Sequence, residues 1–499
     1  MNKDINLPQF REQFTKTTTT DIDCLRAIAI EAITSSSFYQ ADVDQKTQTL
    51  ITIAWKLAFL RSSSFRSIAI LAINQFSDIL DNDKIKFHHS MELYNALYTF
   101  LWTSADDITS LEPFSSLSIK FQKWLKKQLK TSSSEFDRNL KFSKNLNIAY
   151  LLHSAEYTPT NAITPLIISL AEKHEDMADR KIFVYLIHHG SNNFIEKISS
   201  KNFIVRPFFQ PKYDRLDEIA EKMKEDKIDI IITDQNRSVA TALFTQRVAS
   251  VQIFLDVGFP YWNIENIDWT LSPTLIEGNP DKRSTLTCAQ SLESLKINAN
   301  IQESEKIRAP YPNKAFILGI FTRLIKITAS FLNLMERILG EDSRFFLIIV
   351  GGGSPDPIHD FLSQSKHKER ITFLNQNVDL AIYGKAIDVM CDTFPFVGGV
   401  ACREIGAQGT PVVSMLGTPW DPLLQAERSQ DLLAQTEEEY VQILKRLLND
   451  VDFFKRQCQV AHELVSLHTD VSNTVKQVES AIQAAITQRS NTRVNKENF

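Results

Sequence analysis

The sequence predicts an α/β protein in which an all-helical N-terminal domain precedes two doubly wound parallel sheets. Three observations predict this organisation. Residues 21–129 contain no glycine and carry apolar residues at helical spacing. After them, short β-rich runs alternate with amphipathic segments, and this alternation occurs twice. We therefore predict the following segments: a helical domain (1–140), a first α/β domain (141–277), a connector (278–313), a second α/β domain (314–486) and a disordered tail (487–499).

The N-terminal segment reads as a packed array of helices. Apolar residues recur three or four positions apart, beginning with Leu25, Ile28, Ala29 and Ala32. No repeat of fixed period with shared anchor residues is visible, which argues against a helical solenoid. The polar run KTSSSEFDRN then forms a plausible linker to the first sheet.

Two series of predicted strands follow. The first is NIAYLLH, KIFVYLIHH, NFIVRPF, IDIIITD and VQIFLDV, and the second is AFILGIF, FFLIIVGGG, RITFLN, AIDVMCD and PVVSM. Strands that alternate with helices form parallel sheets. Two such domains leave a cleft between the carboxyl ends of their sheets, where ligands bind in folds of this kind.

Composition excludes several classes of partner. The chain of 499 residues has a net charge of -5, so nothing global favours nucleic acid or an anionic membrane surface. The five cysteines are scattered without metal-ligand spacing and read as reduced thiols, so we predict no metal site. No apolar run is long enough to span a bilayer, and the polar N-terminus resembles no targeting signal. We therefore expect a cytoplasmic protein.

The stretch CDTFPFVGGVACREIGAQGTPVV points to an anion site. It places Gly398 and Gly399 between a predicted strand and a predicted helix. Free N–H groups at a helix start attract a phosphate, and the missing side chains let it approach the backbone. Glu404, about one turn later, could accept hydrogen bonds from a ribose. The alternative is a tight turn followed by a solvated glutamate.

Two cations occupy the corresponding place after the first strand of the same domain. In AFILGIFTRLIKIT, Arg323 and Lys326 follow the strand and would face the same edge of the cleft. There they could neutralise a diphosphate leaving group. The alternative is that both are ordinary surface cations.

These segments resemble a known family. FTRLIKIT, DVMCDTFPF, GTPVVSM and DLLAQTEEEYVQIL are similar to the catalytic region of GT-B glycosyltransferases, above all to the O-GlcNAc transferase type and the bacterial adhesin N-glucosyltransferases. The resemblance covers roughly Ala315 to Ile486, and extends more faintly to ASVQIFLDVGFPYWNIENIDW in the first α/β domain. It implies the GT-B fold, a UDP-sugar donor and no cofactor.

The resemblance also implies roles for donor-site residues. It assigns the diphosphate-binding lysine to Lys326 and a supporting polar residue to Arg323. The ribose-binding acid, usually aspartate in the family, falls on Glu404. The base-binding loop falls on Asn375, Gln376 and Asn377, whose amides could pair with uracil.

The phosphate loop departs from the family's pattern. Relatives carry Thr or Asn side chains that touch the phosphates, whereas here the positions are Gly399, Val400 and Ala401. Phosphate contacts would therefore come from the backbone alone, with Gly398 completing the turn.

The acceptor side departs further. Relatives place a histidine in the loop after the first strand of the first α/β domain, and the residue at that position here is Thr158. His153, at the end of that strand, could serve as the general base instead, with Glu156 and Asp256 as other candidates. A histidine at a strand end is, however, more often structural.

Two aromatic residues are candidates for contact with the sugar or the acceptor. Tyr261 and Trp262, in DVGFPYWN, would face the cleft between the domains. Packing in the core is the competing interpretation.

Together these features predict a glycosyltransferase that moves a hexose or N-acetylhexosamine from a UDP-sugar to a protein or glycan acceptor. The family relation implies inversion at the anomeric carbon without a metal ion. One rival is a degenerate, non-catalytic GT-B protein that acts on a protein partner through its helical domain. A second rival is a nucleotide-sugar epimerase, for which we identify no acid residues.

Overall fold

The computed structural model describes most of the chain. The described residues are 5–17, 21–60, 62–82, 84–105, 111–129, 140, 142, 145–155, 163–177, 179–190, 195–196, 198, 202–208, 213–257, 262–272, 280–286, 300–353, 355–418, 420–467 and 470–497.

The N-terminal segment is helical, as the glycine-free apolar pattern predicts. Its helices are α1 (Leu7–Lys16), α2 (Ile22–Thr34), α3 (Ser36–Gln40), α4 (Val43–Leu60), α5 (Arg66–Ile79), α6 (Phe87–Ser104) and α7 (Pro113–Gln128). Polar side chains cap several of them, for example Asp21, which accepts a hydrogen bond from the Cys24 N–H at the start of α2. Their inward faces bury residues such as Phe76, Leu97 and Phe121.

The first α/β domain contains a parallel sheet in the order β3-β2-β1-β4-β5-β6-β7. Its strands are β1 (Leu146–Ala155), β2 (Arg180–Gly190), β3 (Ile204–Pro207), β4 (Ile230–Thr233), β5 (Val251–Leu255), β6 (Trp269–Ser272) and β7 (Arg283–Thr285). The helices between them are α8 (Ile163–Glu175), α9 (Leu216–Glu225) and α10 (Ser238–Gln246).

The second α/β domain contains a parallel sheet in the order β10-β9-β8-β11-β12-β13. Its strands are β8 (Phe316–Phe321), β9 (Phe345–Val350), β10 (Ile371–Leu374), β11 (Val389–Cys391), β12 (Val412–Met415) and β13 (Leu433–Ala434). The helices are α11 (Ile301–Arg308), α12 (Ala329–Glu341), α13 (Asp356–Gln364), α14 (Leu380–Ala386), α15 (Val400–Gly406), α16 (Asp421–Glu427), α17 (Glu437–Asn449), α18 (Val451–Leu467) and α19 (Val471–Glu497).

The helical segment and the first sheet share one core. Apolar residues of α4 to α7 pack together with those of α10 and with one face of the sheet. Polar contacts cross the same boundary, since Asn95 Oδ1 accepts a hydrogen bond of 2.9 Å from the Ser238 N–H. The helical layer is therefore attached to the first α/β domain rather than separate from it.

The last helix differs from the prediction. The sequence predicted a disordered tail over 487–499, but α19 continues to Glu497. It also leaves the second domain, because Val478, Ile482 and Ala485 are buried in the core of the first sheet. The assignment of all of 314–486 to the second domain is therefore wrong for this helix.

The sequence patterns did not predict the short strand β7. The predicted connector 278–313 contains β7, which pairs with β6 in the first sheet, and also α11. β7 has only three residues, which are too few for an alternating pattern to be recognised. No helix among the described residues is long and apolar enough to cross a membrane.

Candidate functional site

Both sheets reverse their strand order at one point. In the first sheet, β1 lies between β2 and β4, and in the second, β8 lies between β9 and β11. Loops that follow such strands diverge to opposite sides and leave a crevice at the carboxyl edge. The segments after β8 and β11 therefore define the candidate site of the second domain, and those after β1 and β4 define the facing one.

The segment after β8 carries the two predicted cations. Arg323 is exposed at the start of a 3-10 turn, and Lys326 ends that turn. The Nζ of Lys326 donates a hydrogen bond of 2.9 Å to the backbone oxygen of Val397. Because Val397 directly precedes Gly398, the structure places this lysine against the glycine turn.

The segment after β11 is fixed by a buried aspartate. Asp392 Oδ1 accepts a hydrogen bond of 2.6 Å from the Gly398 N–H, and its Oδ2 accepts one of 2.9 Å from Ser414 Oγ. On the other side of the turn, Arg428 Nη2 donates to the Gly398 carbonyl oxygen at 2.9 Å. Both polar groups of the Gly398 backbone are thus held by charged side chains.

A second ion pair supports this frame. Arg403 of α15 forms a buried, bidentate ion pair with Glu427 of α16. Glu427 also lies 3.6 Å from Arg428. Charged pairs that are buried hold their geometry tightly because breaking one leaves an uncompensated charge. The sequence reasoning did not assign Asp392, Arg403, Glu427 or Arg428 to the site, since such roles depend on contacts made between distant segments.

The two glycines differ in their surroundings. A Cβ on Gly398 would lie 2.7 Å from Cys402 Sγ and 3.0 Å from Asp392 Oδ1, whereas a Cβ on Gly399 would meet nothing within 4 Å. Gly398 is therefore needed for packing, and Gly399 faces open space. The first N–H groups of α15 follow Gly399, and such groups have no partner within their helix.

The predicted ribose-binding residue lies on the same short helix. Glu404 is partly buried and stands four residues after Val400, so both are on one face of α15. The predicted base-binding residue, Asn377, is exposed after β10, and its Oδ1 lies 3.8 Å from where a Cβ on Gly352 would stand. Gly352 in turn accepts a hydrogen bond from the Leu324 N–H, next to Arg323.

Electrostatics favour an anion beside Lys326. Burial lowers the pKa of Lys326, and the nearby charge of Arg323 lowers it further, while the charge of Asp392 acts in the opposite direction. The positive charge of Arg323 near Lys326 disfavours the charged form of the lysine. An anionic group between them would relieve that repulsion and favour the charged form of the lysine.

On the acceptor side, the structure describes only part of the predicted set. The backbone of His153 lies near the end of β1, where the register with β2 shifts between Leu152 and Ser154. The His153 side chain is outside the described part of the structure, as are residues Glu156, Thr158 and Tyr261.

Two other residues that the sequence suggested for the acceptor side are buried. Asp256 is 3% exposed, and its Oδ2 accepts a hydrogen bond of 2.7 Å from Ser272 Oγ. Trp262 was predicted to face the cleft, which is wrong: its ring is 3% exposed and packs between Phe244 and Phe254. Its Nε1 is satisfied by Thr241 Oγ1 at 3.2 Å, so this tryptophan belongs to the core.

Comparison with known sequences gives distant relatives. The chain is 24% identical over 328 residues to a probable UDP-N-acetylglucosamine–peptide N-acetylglucosaminyltransferase SPINDLY of Petunia hybrida, and 25% identical over 304 residues to that of Arabidopsis thaliana. These matches cover 60% and 56% of this chain but only 34% and 33% of the relatives. The chain thus spans about a third of the length of the curated relatives it matches. No family model matches the sequence.

Comparison with solved structures gives a match over nearly the whole chain. A mutant of the Thermobaculum terrenum O-GlcNAc transferase superposes with a TM-score of 0.61 at 15% identity, covering 98% of this chain and 100% of that one. Anabaena HepE, in complex with UDP and glucose, superposes with a TM-score of 0.52 at 14% identity over 68% of this chain and 100% of its own. The chain has the GT-B fold. The predicted resemblance to a GT-B glycosyltransferase of the O-GlcNAc transferase type is confirmed.

The cleft of this GT-B protein contains further polar residues that sequence reasoning missed. Asp234 directly follows β4, and the guanidinium of Arg237 lies 5.5 Å from the centre of the Tyr98 ring on α6. Burial raises the pKa of Tyr98. The charges of Asp234 and Asp256 raise this pKa further, and those of Arg237 and Arg323 lower it. Because Arg323 belongs to the second domain, charges of both domains act on Tyr98. The run IDIIITD did place a carboxylate at a strand end, and that was the available signal.

Apolar residues of the second GT-B domain also reach across. Phe396, in the loop before Gly398, is buried in the core of the helical layer and the first sheet, and Trp420 packs against it. The glycine turn is thereby anchored to both halves of the protein. No cluster of three or more His, Cys, Asp or Glu residues suited to a metal ion occurs within the described ranges.

Proposed function

We propose that the protein is a glycosyltransferase that transfers a hexose or N-acetylhexosamine from a UDP-sugar to an acceptor. The observation that carries the proposal is the hydrogen bond from Lys326 to the Val397 backbone oxygen, which holds this lysine beside the glycine turn at the switch point of the second sheet, where Gly399 faces open space. A diphosphate fits such a place, since it needs positive charge, free N–H groups and close approach to the backbone.

In this proposal each residue of the second domain has a distinct task. Lys326 keeps two further N–H donors after its bond to Val397 and would direct them at the diphosphate. Arg323 would add a second positive charge as the leaving group acquires negative charge. Glu404 would bind the ribose hydroxyl groups, and Asn377 would contact the base.

The reaction proposed is a direct displacement without a metal ion and with inversion at the anomeric carbon. The cations would stabilise the departing UDP, which is the task of a metal ion in other transferases. Relatives named as peptide N-acetylglucosaminyltransferases support a protein side chain as the acceptor. The structural likeness to HepE with bound UDP and glucose supports the donor class. Cytoplasmic location stays a prediction.

One observation favours a second candidate, a nucleotide-binding GT-B protein without transferase activity. The Gly398 N–H is already bonded to Asp392, and the next three residues offer no hydroxyl or amide side chain. Such a protein would bind a nucleotide weakly and would act through its helical layer on a protein partner.

Thermal unfolding with UDP, GDP and ADP tests the donor site. A ligand at about 100 times its dissociation constant stabilises the native state by about 2.7 kcal/mol, which raises the melting temperature measurably. We expect UDP to stabilise the wild type and Lys326→Ala to lose the effect. Lys455→Ala, on the exposed face of α18, is the matched control and should respond like the wild type.

Release of UDP from UDP-glucose and UDP-N-acetylglucosamine then separates the candidates. A transferase releases UDP and glycosylates an added acceptor, while an epimerase turns over the sugar with no acceptor and no UDP release. Stabilisation by UDP without any turnover supports the non-catalytic candidate. No stabilisation by any of the three nucleotides contradicts the donor site itself.

A further inference from the structure

The loop after β4 occupies the position in the first sheet that the glycine turn occupies in the second. β4 lies beside β1 at the point where the strand order reverses, and Asp234 is the first residue beyond it. Ligands of doubly wound sheets bind in the crevice at this point. The Asp234 carboxylate therefore lies at the part of the first domain that faces the donor site.

This loop concentrates polar atoms that lack partners. Asp234 Oδ1 and Asn236 Nδ2 are buried and make no hydrogen bond with any described residue. A buried polar atom without a partner destabilises the fold, so two of them within three residues are unusual in a purely structural loop. Their shared position points to a ligand that supplies both a donor and an acceptor, as a hydroxyl or amide does.

We propose that Asp234 takes the proton from the acceptor nucleophile during transfer, an assignment that rests on the proposed glycosyltransferase function. An acceptor O–H or N–H that donates to Asp234 Oδ1 would satisfy the unpaired oxygen. Asn236 Nδ2 could at the same time hold the oxygen of the acceptor group. The nucleophile would then be aligned between the first domain and the anomeric carbon of the donor.

The electrostatic surroundings suit a base. Burial raises the pKa of Asp234 to about 7, while hydrogen bonds from its own backbone N–H and from Gln235, and the charge of Arg237, act to lower it. A carboxylate with a pKa near the working pH accepts a proton more readily than an ordinary exposed aspartate.

Asp234 also lies within electrostatic range of the second domain's cations. Its charge and that of Arg323 both act on the phenol of Tyr98. Asp256 acts on the same phenol, but its carboxylate is already bonded to Ser272. Among the acidic groups described around Tyr98, Asp234 is the one with an unpaired oxygen.

The proposed transfer forms one bond at the anomeric carbon and breaks another. The acceptor oxygen or nitrogen forms a bond to the anomeric carbon, and the bond from that carbon to the diphosphate oxygen breaks. The electron pair of the broken bond leaves with UDP, next to Lys326 and Arg323. The proton of the acceptor passes to the Asp234 carboxylate and from there to solvent.

Hydrolysis of UDP-glucose and UDP-N-acetylglucosamine, with water as the acceptor probe, tests the assignment. Asp234→Asn keeps the shape of the side chain but cannot accept a proton, so UDP release should fall on the order of 10²- to 10⁴-fold. Stabilisation by UDP should stay, because the donor contacts lie in the second domain. Asp217→Asn, an exposed aspartate of α9, is the matched control and should release UDP at the wild-type rate.

Azide provides a readout that a structural role would not change. It attacks as an anion and needs no base, so it should restore turnover of Asp234→Ala as a glycosyl azide. The pH profile gives a second readout: below the pKa of the base, wild-type kcat/KM should rise about tenfold per pH unit, and Asp234→Asn should lose this limb.

The outcomes separate this proposal from the function on which it rests. A wild type that UDP does not stabilise, or that releases no UDP, overturns the transferase function and the role of Asp234 with it. UDP release by Asp234→Asn within a few-fold of the wild type overturns the role of Asp234 alone. So does a folded, UDP-binding Asp234→Ala that azide fails to restore.

Discussion

Lys326 and Val397 are 71 residues apart in sequence and are joined by a hydrogen bond of 2.9 Å from Nζ to the backbone oxygen. The bond links the segment after β8 to the segment after β11, on the two sides of the switch point. It holds the lysine against the glycine turn through contacts within the protein. The candidate donor site is therefore preorganised by the protein itself.

UDP affinity should depend on pH through Lys326. Because burial and the charge of Arg323 lower the pKa of Lys326, its charged form is lost at a lower pH than that of an ordinary lysine. Binding of a diphosphate favours the charged form, so we expect affinity to fall as pH rises through this lowered pKa. Calorimetric titration with UDP from neutral to alkaline pH measures the effect.

Lys326→Arg is the control for that experiment. Arginine stays charged throughout this range, so a variant that still binds UDP should show a flat pH profile. An equal fall in affinity for the wild type and for Lys326→Arg would show that another group titrates.

The two adjacent glycines should respond differently to alanine. Gly398→Ala places a Cβ 2.7 Å from Cys402 Sγ, so overpacking should destabilise the fold by about 1–3 kcal/mol and disturb the turn. Gly399→Ala has open space around its Cβ and should unfold like the wild type, yet bind UDP more weakly because the methyl group lies where the diphosphate approaches. Urea unfolding and UDP titration of both variants measure this.

A second substitution tests the stated cause. Cys402→Ala removes the sulfur that the new methyl group would meet, so the double variant should recover part of the stability lost in Gly398→Ala. Additive losses in the double variant would mean that the contact with Cys402 is not the source of the destabilisation.

Docking of the last helix should weaken in acid. Glu479 of α19 accepts hydrogen bonds of 2.8 and 2.7 Å from Arg180 and lies 2.6 Å from His174 Nε2. Burial alone would raise its pKa, but Arg180 and His174 outweigh burial and lower it to about 2. The pKa of Glu479 is lower in the folded than in the unfolded state. The pair therefore stabilises the fold above the unfolded value of about 4.3, and this contribution is lost as pH falls toward 2.

Glu479→Gln tests this linkage. Removing one partner of a buried ion pair costs about 3–5 kcal/mol at neutral pH, and the variant should lose less stability than the wild type between pH 4.5 and pH 2. Asp176→Asn, which removes an exposed pair with Lys173, should change stability far less than Glu479→Gln does. Urea unfolding monitored by circular dichroism measures the stability of both proteins. Equal acid sensitivity of the wild type and Glu479→Gln would contradict the assignment.

Asp234 should reduce stability at alkaline pH. Its pKa of about 7 is higher than that of an aspartate in an unfolded chain, so the folded state holds its proton more tightly. Stability from this group is complete below the unfolded pKa of about 3.9 and falls as pH rises through the folded value. Asp234→Asn should therefore melt at a higher temperature than the wild type at pH 8, and the difference should shrink toward pH 4.

A melting curve for each protein at both pH values tests this effect of Asp234 on stability. If Asp234→Asn is less stable than the wild type at pH 8 as well as at pH 4, the carboxylate serves the fold. The functional assignment predicts the reverse, since sites that hold a strained charge are expected to gain stability when it is removed.

Local patterns in the sequence predicted much of the fold and the positions of the candidate donor-site residues. The alternation of apolar strands and amphipathic helices predicted two parallel sheets, because helix and strand periods depend on neighbouring residues. The positions of Arg323, Lys326 and the glycine pair could be predicted for a similar reason. Each lies in the segment that follows a buried strand, and the carboxyl ends of parallel strands meet at one edge.

Tertiary structure decided what local patterns cannot specify. Trp262 lies in the core rather than in the cleft, because Phe244 and Phe254 surround it. The α19 helix crosses to the first sheet, because the partners of Val478 and Ile482 belong to that core. In both cases the deciding contacts join residues far apart in sequence, or depend on which face of an element is covered.

The sequence by itself determined the class of fold, the positions of most strands along the chain and which residues follow β8 and β11 in the second sheet. Only the tertiary structure decided that Asp392 and Arg428 clamp the Gly398 backbone and that Asp234 holds an unpaired oxygen in the cleft. The physical reason is that strand ends follow from local periodicity. Burial, charge pairing and unsatisfied hydrogen bonds follow instead from long-range packing, which a single sequence does not display.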